Sequence, residues 1–207
     1  MIEVEKALEL IQKTAVKNTS VSAAVSFRIC GNVLADDIFS PMSLPHFAQS
    51  SMDGFALKSH DSLNYKVIGE MAAGSTKTFH LNAGEAVRIF TGAMVPASAD
   101  SVVIQEKVKC LDKTILLEEA PKQGQNIRPI GSMMQAGDLV FSKGHILNPP
   151  SIGLLQSMGI QSVLVYNKPS IAIVITGNEL LKSGESIQEG KVFESNSVVL
   201  ESALKQQ

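Results

Sequence analysis

The chain has 207 residues, enough for one large domain or two modest ones. Hydrophobic residues make up 44% of it and charged residues 18%, the balance of a folded chain rather than a disordered one. A net charge of −2 excludes broad nucleic-acid binding, which needs a basic surface, but leaves room for a small local anion site.

The two cysteines, Cys30 and Cys110, have no metal-ligand spacing, and a chain this long buries a core without a disulfide. Reduced, buried thiols in a cytoplasmic protein are expected. The opening Met1-Ile2-Glu3-Val4-Glu5-Lys6 lacks the basic and apolar regions of a secretion signal. Gly144 to Asn167 holds no Asp, Glu, Lys or Arg, but Asn148, Pro149, Pro150, Gln156 and Gln161 break it, so no membrane helix is expected. Asn18-Thr19-Ser20 fits a glycosylation acceptor and is read as chance in a chain without a signal.

Along the chain, Val4, Ala7, Leu8 and Ile11 form the stripe of an amphipathic helix over 3–13. An irregular region with Pro41 and Pro45 follows. Short β-like runs come next: Tyr65–Ile68, Ala86–Phe90, Ser101–Gln105 and Val108–Leu117, the last with a turn at Asp112-Lys113. Asn148 reads as an N-cap, Pro149 as the first helical residue and Gly159 as the stop. Val163–Tyr166 and Ile171–Ile175 read as strands, the second apolar enough for a parallel sheet buried on both faces. Ser195 to Lys205 reads as a helix. The order predicts a strand-rich domain inserted into a helical one. The strand–loop–helix from Pro169 cannot cover a sheet alone and reads as an unfinished domain.

Four short motifs carry candidate chemistry. In Ser51-Met52-Asp53-Gly54-Phe55-Ala56, the carboxylate could bind Mg²⁺ or handle a proton, though an isolated Asp-Gly is first of all an ordinary turn. Thr91-Gly92-Ala93-Met94-Val95-Pro96 follows a strand and offers a hydroxyl and backbone N–H groups that could cradle an oxyanion, or simply a strand-to-loop transition. Arg128, in Gly124-Gln125-Asn126-Ile127-Arg128, could grip phosphate or lie idle on the surface. Thr176-Gly177-Asn178-Glu179 sits at the C-terminal end of a strand-like run, where open α/β sheets bind ligands, and a capping loop is the alternative. Asp100 and Glu106 flank a strand as site groups or solvated charges, and the four histidines have no ligand spacing.

In their order, these segments resemble the molybdopterin molybdenumtransferases, the molybdenum-insertion enzymes of molybdenum cofactor biosynthesis that include the E-domain of gephyrin. Further matching segments are Gly31-Asn32-Val33-Leu34-Ala35-Asp36-Asp37, Gly84-Glu85-Ala86-Val87-Arg88-Ile89 and Glu194-Ser195-Asn196. The likeness spans nearly the whole chain. It implies an α+β multidomain fold: an elongated helix-rich domain I (1–45 and 138–168), an inserted β-rich domain II (46–137), and at 169–207 the truncated start of an α/β molybdopterin-binding domain III. It implies ligation of molybdate to the dithiolene of adenylylated molybdopterin, with Mg²⁺ as cofactor and release of AMP. The implied assembly is a cytoplasmic homodimer, with other cofactor-biosynthesis proteins as further partners and neither nucleic acid nor membrane.

Carried onto this chain, the resemblance makes Asp53 and Glu179 the catalytic carboxylates and Asp53 the metal ligand. Thr91, Gly92, Arg128, Thr176, Gly177 and Asn178 become the substrate-binding residues. There are departures. The family's Gly-Glu-Asp after the arginine loop is Gly131-Ser132-Met133 here, and its Thr-Gly-Asp-Glu-Leu carries Asn178. Asn178 can still donate and accept hydrogen bonds, whereas Met133 cannot replace a carboxylate. The family's later Ser-Gly-Gly loop and fourth domain have no counterpart, which implies that the 207 residues alone are inactive or impaired. A non-catalytic dimerisation or binding module derived from the family is the alternative.

Overall fold

A computed structural model describes residues 2–14 and 19–205, and Asn18 of the glycosylation-like triplet lies outside them. The chain divides into two compact units, Met1–Asp37 with Ser142–Gln207 and, between them in sequence, Ile38–Phe141. Helix α1 (Val4–Thr14) forms where the apolar stripe predicts it, with none of its residues buried. Strand β1 (Ser20–Ala24) follows and has no counterpart among the expected elements.

The second unit holds strands β2 (Ile38–Phe39), β3 (Gln49–Ser50), β4 (Gly54–Leu57), β5 (Asn64–Met71), β6 (Glu85–Ile89) and β7 (Ser101–Ile104). It continues through β8 (Val108–Leu111), β9 (Thr114–Leu117), β10 (Ile127–Arg128) and β11 (Leu139–Phe141). Six of these form one sheet in the order β7-β4-β6-β5-β9-β8, and two ribbons, β2 with β11 and β3 with β10, pair separately. The β5–β6 pair is parallel and the other pairs in the sheet are antiparallel.

Side-chain alternation divides the core of this unit between two buried clusters. Ala56, Val87, Ile89 and Val102 pack with Met71, Leu81, Ala93 and Val95. Their strand neighbours Phe55, Leu57, Ala86 and Val103 pack with Tyr65, Ile115 and Leu117. Strand β4 is therefore buried at every position and shows no polar alternation. Its first residue, Gly54, follows Asp53 in the Asp-Gly pair that reads as a turn in sequence. Gly54 has a steric role: a Cβ there would lie 2.0 Å from the Val103 carbonyl oxygen, so only glycine allows β7 to approach.

The chain then returns to the first unit. Helix α2 (Pro149–Ser157) opens with Asn148 accepting the Ser151 N–H, and Gly159 takes φ of 72° just beyond its end. Strand β12 (Ser162–Tyr166) pairs antiparallel with β1, from Ser20 opposite Tyr166 to Ala24 opposite Ser162. Leu34, Leu147, Leu155, Met158, Val163 and Val165 are buried. Strands β13 (Leu180–Leu181) and β14 (Val192–Phe193) pair in parallel ahead of helix α3 (Asn196–Lys205).

Two expectations are corrected. Ile171–Ile175 forms no strand: a parallel strand exists only through its hydrogen-bonded neighbours, and none of the described residues pairs with it. Cys30 and Cys110 are free, but exposed rather than buried. Cys110 lies on β8 at the edge of the sheet, and Cys30 directly follows a short 3₁₀ turn. The described residues mix α and β structure with only three α-helices, and no helix is long and apolar enough to cross a membrane.

Candidate functional site

The turn between β3 and β4 carries Asp53, and local bonds fix its shape. Buried Ser50 donates its hydroxyl to the Met52 carbonyl at 2.6 Å. The Ser51 N–H and hydroxyl both donate to the Asn126 carbonyl at 3.0 Å. Just past the end of β7, the Gln105 N–H donates to the Asp53 carbonyl at 3.2 Å. A turn braced internally and tethered to two separate segments presents the exposed Asp53 side chain from a fixed base.

Opposite it, β6 ends and the chain turns at Thr91-Gly92. One carboxylate oxygen of Asp53 accepts both the Thr91 N–H and the Thr91 hydroxyl, each at 2.7 Å. Gly92 follows with φ of 80°, a left-handed conformation that suits glycine. The Thr91 hydroxyl first, then the Thr91 N–H and the positive charge of Arg88, hold the Asp53 carboxyl below the ordinary carboxylate range. Asp53 is thus an exposed, ionised carboxylate with one oxygen anchored. Among the described residues no hydrogen bond occupies the other.

Of the two readings left open for this loop, an oxyanion cradle or a strand-to-loop transition, four of its backbone N–H groups speak for the second, being bonded within the protein. The Thr91 N–H points to Asp53, Gly92 donates to the Ser50 carbonyl, Ala93 to Phe90, and Val95 to Ala48. These bonds instead dock the loop onto β3 and bring Thr91 to Asp53. Nearby, Arg128 lies on β10 opposite Gln49, exposed. Asn126, two residues earlier, takes φ of 55° and donates its side-chain amide to the Val102 carbonyl at 2.9 Å.

The structure therefore joins Asp53, Thr91 and Gly92 in one constellation and puts Arg128 on the ribbon beside it. Thr176, Gly177, Asn178 and Glu179 belong to the first unit, on an exposed segment leading into β13. There a Cβ on Gly177 would come within 2.6 Å of the Glu179 carboxylate, so the bare glycine lets that carboxylate fold back over the backbone. Met133 is exposed as well.

Sequence reasoning left Arg88 and Gln105 aside, although their side chains bond to each other next to Asp53. Their signal is weak. Arg88 interrupts an otherwise buried strand, and Gln105 is a polar residue just past the end of one. Asp100, left open between site and surface, is structural: it accepts the Ser59 hydroxyl at 2.7 Å and the Ser59 N–H at 3.2 Å, and Lys58 lies 3.4 Å away.

No group of three or more histidine, cysteine or acidic residues gathers to hold a metal among the described residues. A Mg²⁺ ion asks for less. It keeps several waters and takes one or two carboxylates together with substrate phosphates. Asp53, with one oxygen anchored and the other without a hydrogen bond, fits a Mg²⁺ ion shared with a phosphorylated ligand.

A family described as the MoeA N-terminal region (domain I and II) matches residues 2–159. The molybdopterin molybdenumtransferase of Haemophilus influenzae is 40% identical over 173 residues, covering 82% of this chain and 42% of that protein. The molybdopterin molybdenumtransferase of Staphylococcus epidermidis is 34% identical over 215 residues, covering 99% of this chain and 51% of that protein. A solved molybdopterin biosynthesis moeA protein from Pyrococcus horikoshii OT3 superposes with a TM-score of 0.88 at 29% identity, over 100% of this chain and 57% of that one. The chain thus spans about half the length of the curated relatives it matches.

Proposed function

The chain belongs to the MoeA N-terminal region family, and from that premise we propose that it acts in molybdenum cofactor biosynthesis, supplying the Asp53–Thr91 side of a molybdenum-inserting site. The proposed reaction transfers molybdenum from molybdate to adenylylated molybdopterin, a reading taken from relatives of which this chain covers about half. The observation that carries the reading is the ionised Asp53 carboxylate, anchored through a single oxygen and set on a tethered turn.

Both substrates are anions, so a carboxylate facing them is useful only with a cation between or as a proton acceptor. Asp53 would hold Mg²⁺ through its unanchored oxygen, and the ion would supply charge neutralisation at the phosphate that leaves with AMP. Thr91 keeps the carboxylate ionised and oriented while that happens. Arg128 offers a guanidinium for a phosphate or molybdate oxygen. Thr176, Gly177, Asn178 and Glu179 contribute to the same reaction from domain III, which begins at 169, and a cytoplasmic homodimer completes the site.

The test is genetic. A strain lacking its molybdenumtransferase should recover molybdoenzyme activity with the gene that carries this chain, and lose it again with Asp53→Asn. Soluble wild-type protein that restores nothing would leave the non-catalytic binding module as the better account.

A further inference from the structure

Arg88 sits on β6 directly opposite Phe55 of β4 on one side and Glu70 of β5 on the other. Its guanidinium carbon lies 5.0 Å from the Phe55 ring centroid and 5.4 Å from that of Phe90. The same guanidinium donates to the side-chain carbonyl of Gln105. Each of these three partners leads to the candidate site. Phe55 follows Asp53 by two residues, Phe90 immediately precedes Thr91, and the Gln105 N–H holds the Asp53 carbonyl. Gln105 is itself held from its far side, its amide donating to Glu106 at 3.1 Å.

An arginine is suited to this place because its flat cation stacks on rings and donates in its own plane at the same time. A lysine ammonium could supply the charge but not both contacts. The start of β4 and the ends of β6 and β7 meet here through their ladders and the Gln105 bond to the Asp53 carbonyl, and the arginine adds a side-chain contact to each of the three.

We propose that Arg88 is a positioning residue for the Asp53–Thr91 pair, acting through Gln105 and the rings of Phe55 and Phe90. It fixes where the carboxylate stands without touching substrate. The assignment rests on the reading that Asp53 and Thr91 work in molybdenum insertion.

The experiment compares wild type, Arg88→Lys, Arg88→Gln and Gln105→Met, the last leaving β6 untouched should the arginine variants fold poorly. Backbone amide spectra of the 207-residue chain should show the Thr91 signal displaced in all three variants and the Gln105 signal displaced in the two Arg88 variants, with those of β8 and β9 in place. In the protein that carries the chain, kcat for insertion should fall at least about tenfold, because small misplacements of reacting groups are costly. The KM for molybdate should stay within about twofold, as for a group that does not bind substrate. Lysine should not rescue. An unmoved Thr91 amide, an unchanged kcat, recovery by Arg88→Lys, or a rise in KM equal to the fall in kcat would each overturn the proposal. Absence of insertion by the wild-type protein would sink the functional reading instead, while the amide spectra would still decide whether Arg88 places the pair.

Discussion

Thr91 reaches the same oxygen of Asp53 twice, through its N–H and through its hydroxyl, each at 2.7 Å. Two donors on one oxygen stabilise the charged form and fix the orientation of the group, while the second oxygen keeps its capacity for a cation or a proton.

Removing one donor separates these effects. Thr91→Val deletes the hydroxyl, the largest contribution to the low pKa of Asp53, and keeps the backbone donor. The Asp53 carboxyl should then titrate at higher pH than in wild type, read from its side-chain carbon signal, while Thr91→Ser should titrate near wild type. The sign follows from linkage: the folded value is depressed, so whatever this bond contributes to the folded state is present above the unfolded carboxylate pKa and fades as pH falls through the folded one. A Thr91→Val chain whose Asp53 titrates unchanged would show that the backbone N–H alone sets the shift.

Gly54 should tolerate no side chain. A methyl group at this position meets the Val103 carbonyl oxygen at 2.0 Å, and that oxygen belongs to backbone held in the β4–β7 ladder. Gly54→Ala should therefore destabilise the β-rich unit by about 3 kcal/mol, at the upper end of ordinary overpacking costs. Urea unfolding of the chain checks it, and a loss below about 1 kcal/mol would mean that the β7 backbone moves aside with ease.

Gly54 also shows where the sequence was legible and where it was not. Helices α1, α2 and α3 and strands β5, β6, β7, β8, β9 and β12 lie within a residue or a few of where periodicity and turn residues put them. Strand β4 was hidden because it is only four residues long, buried at every position, and opens on an Asp-Gly pair that reads as a turn. Strand β1 was hidden because Ser20–Ala24 has few strongly apolar residues and is defined by its partner β12, over a hundred residues away in sequence. Ile171–Ile175 failed in the opposite way, having strand-like composition with no pairing partner among the described residues. In the candidate site, Asp53 and Thr91 were visible as motif residues. Arg88 and Gln105 were not, because their part depends on contacts across strands that spacing along the chain does not encode.

Asp100 should give the β-rich unit a pH-dependent share of its stability. Burial opposes its ionisation, but the hydroxyl and N–H of Ser59, the Ser101 hydroxyl and Lys58 outweigh that and depress its pKa. Its stabilising effect is therefore complete above the unfolded carboxylate pKa and is lost as pH falls through the lower folded value. Asp100→Asn should cost about 1.5–3 kcal/mol at neutral pH, the range for hydrogen bonds to a charged group. The gap between variant and wild type should close on acidification. Urea midpoints measured from neutral to strongly acidic pH test this, and a gap constant across that range would remove the charge from the explanation.

Asn126 combines two roles that substitution can separate. Its backbone sits at φ of 55°, its side-chain amide donates to the Val102 carbonyl at 2.9 Å, and its own carbonyl receives both donors of Ser51. Asparagine suits the left-handed region better than most residues, because its short polar side chain bonds locally. Asn126→Ala loses the side-chain bond and adds strain, roughly 1 kcal/mol for each, so about 2 kcal/mol in all. Asn126→Gly loses the bond alone and should cost about half as much, after allowing for the greater freedom of glycine in the unfolded chain. Because Ser51 borders the Asp53 turn, the alanine variant should also disturb the Thr91 amide signal more than the glycine variant does. Equal losses of stability for the two substitutions would mean that the left-handed backbone is not under strain, leaving the bond to Val102 as the whole of the contribution.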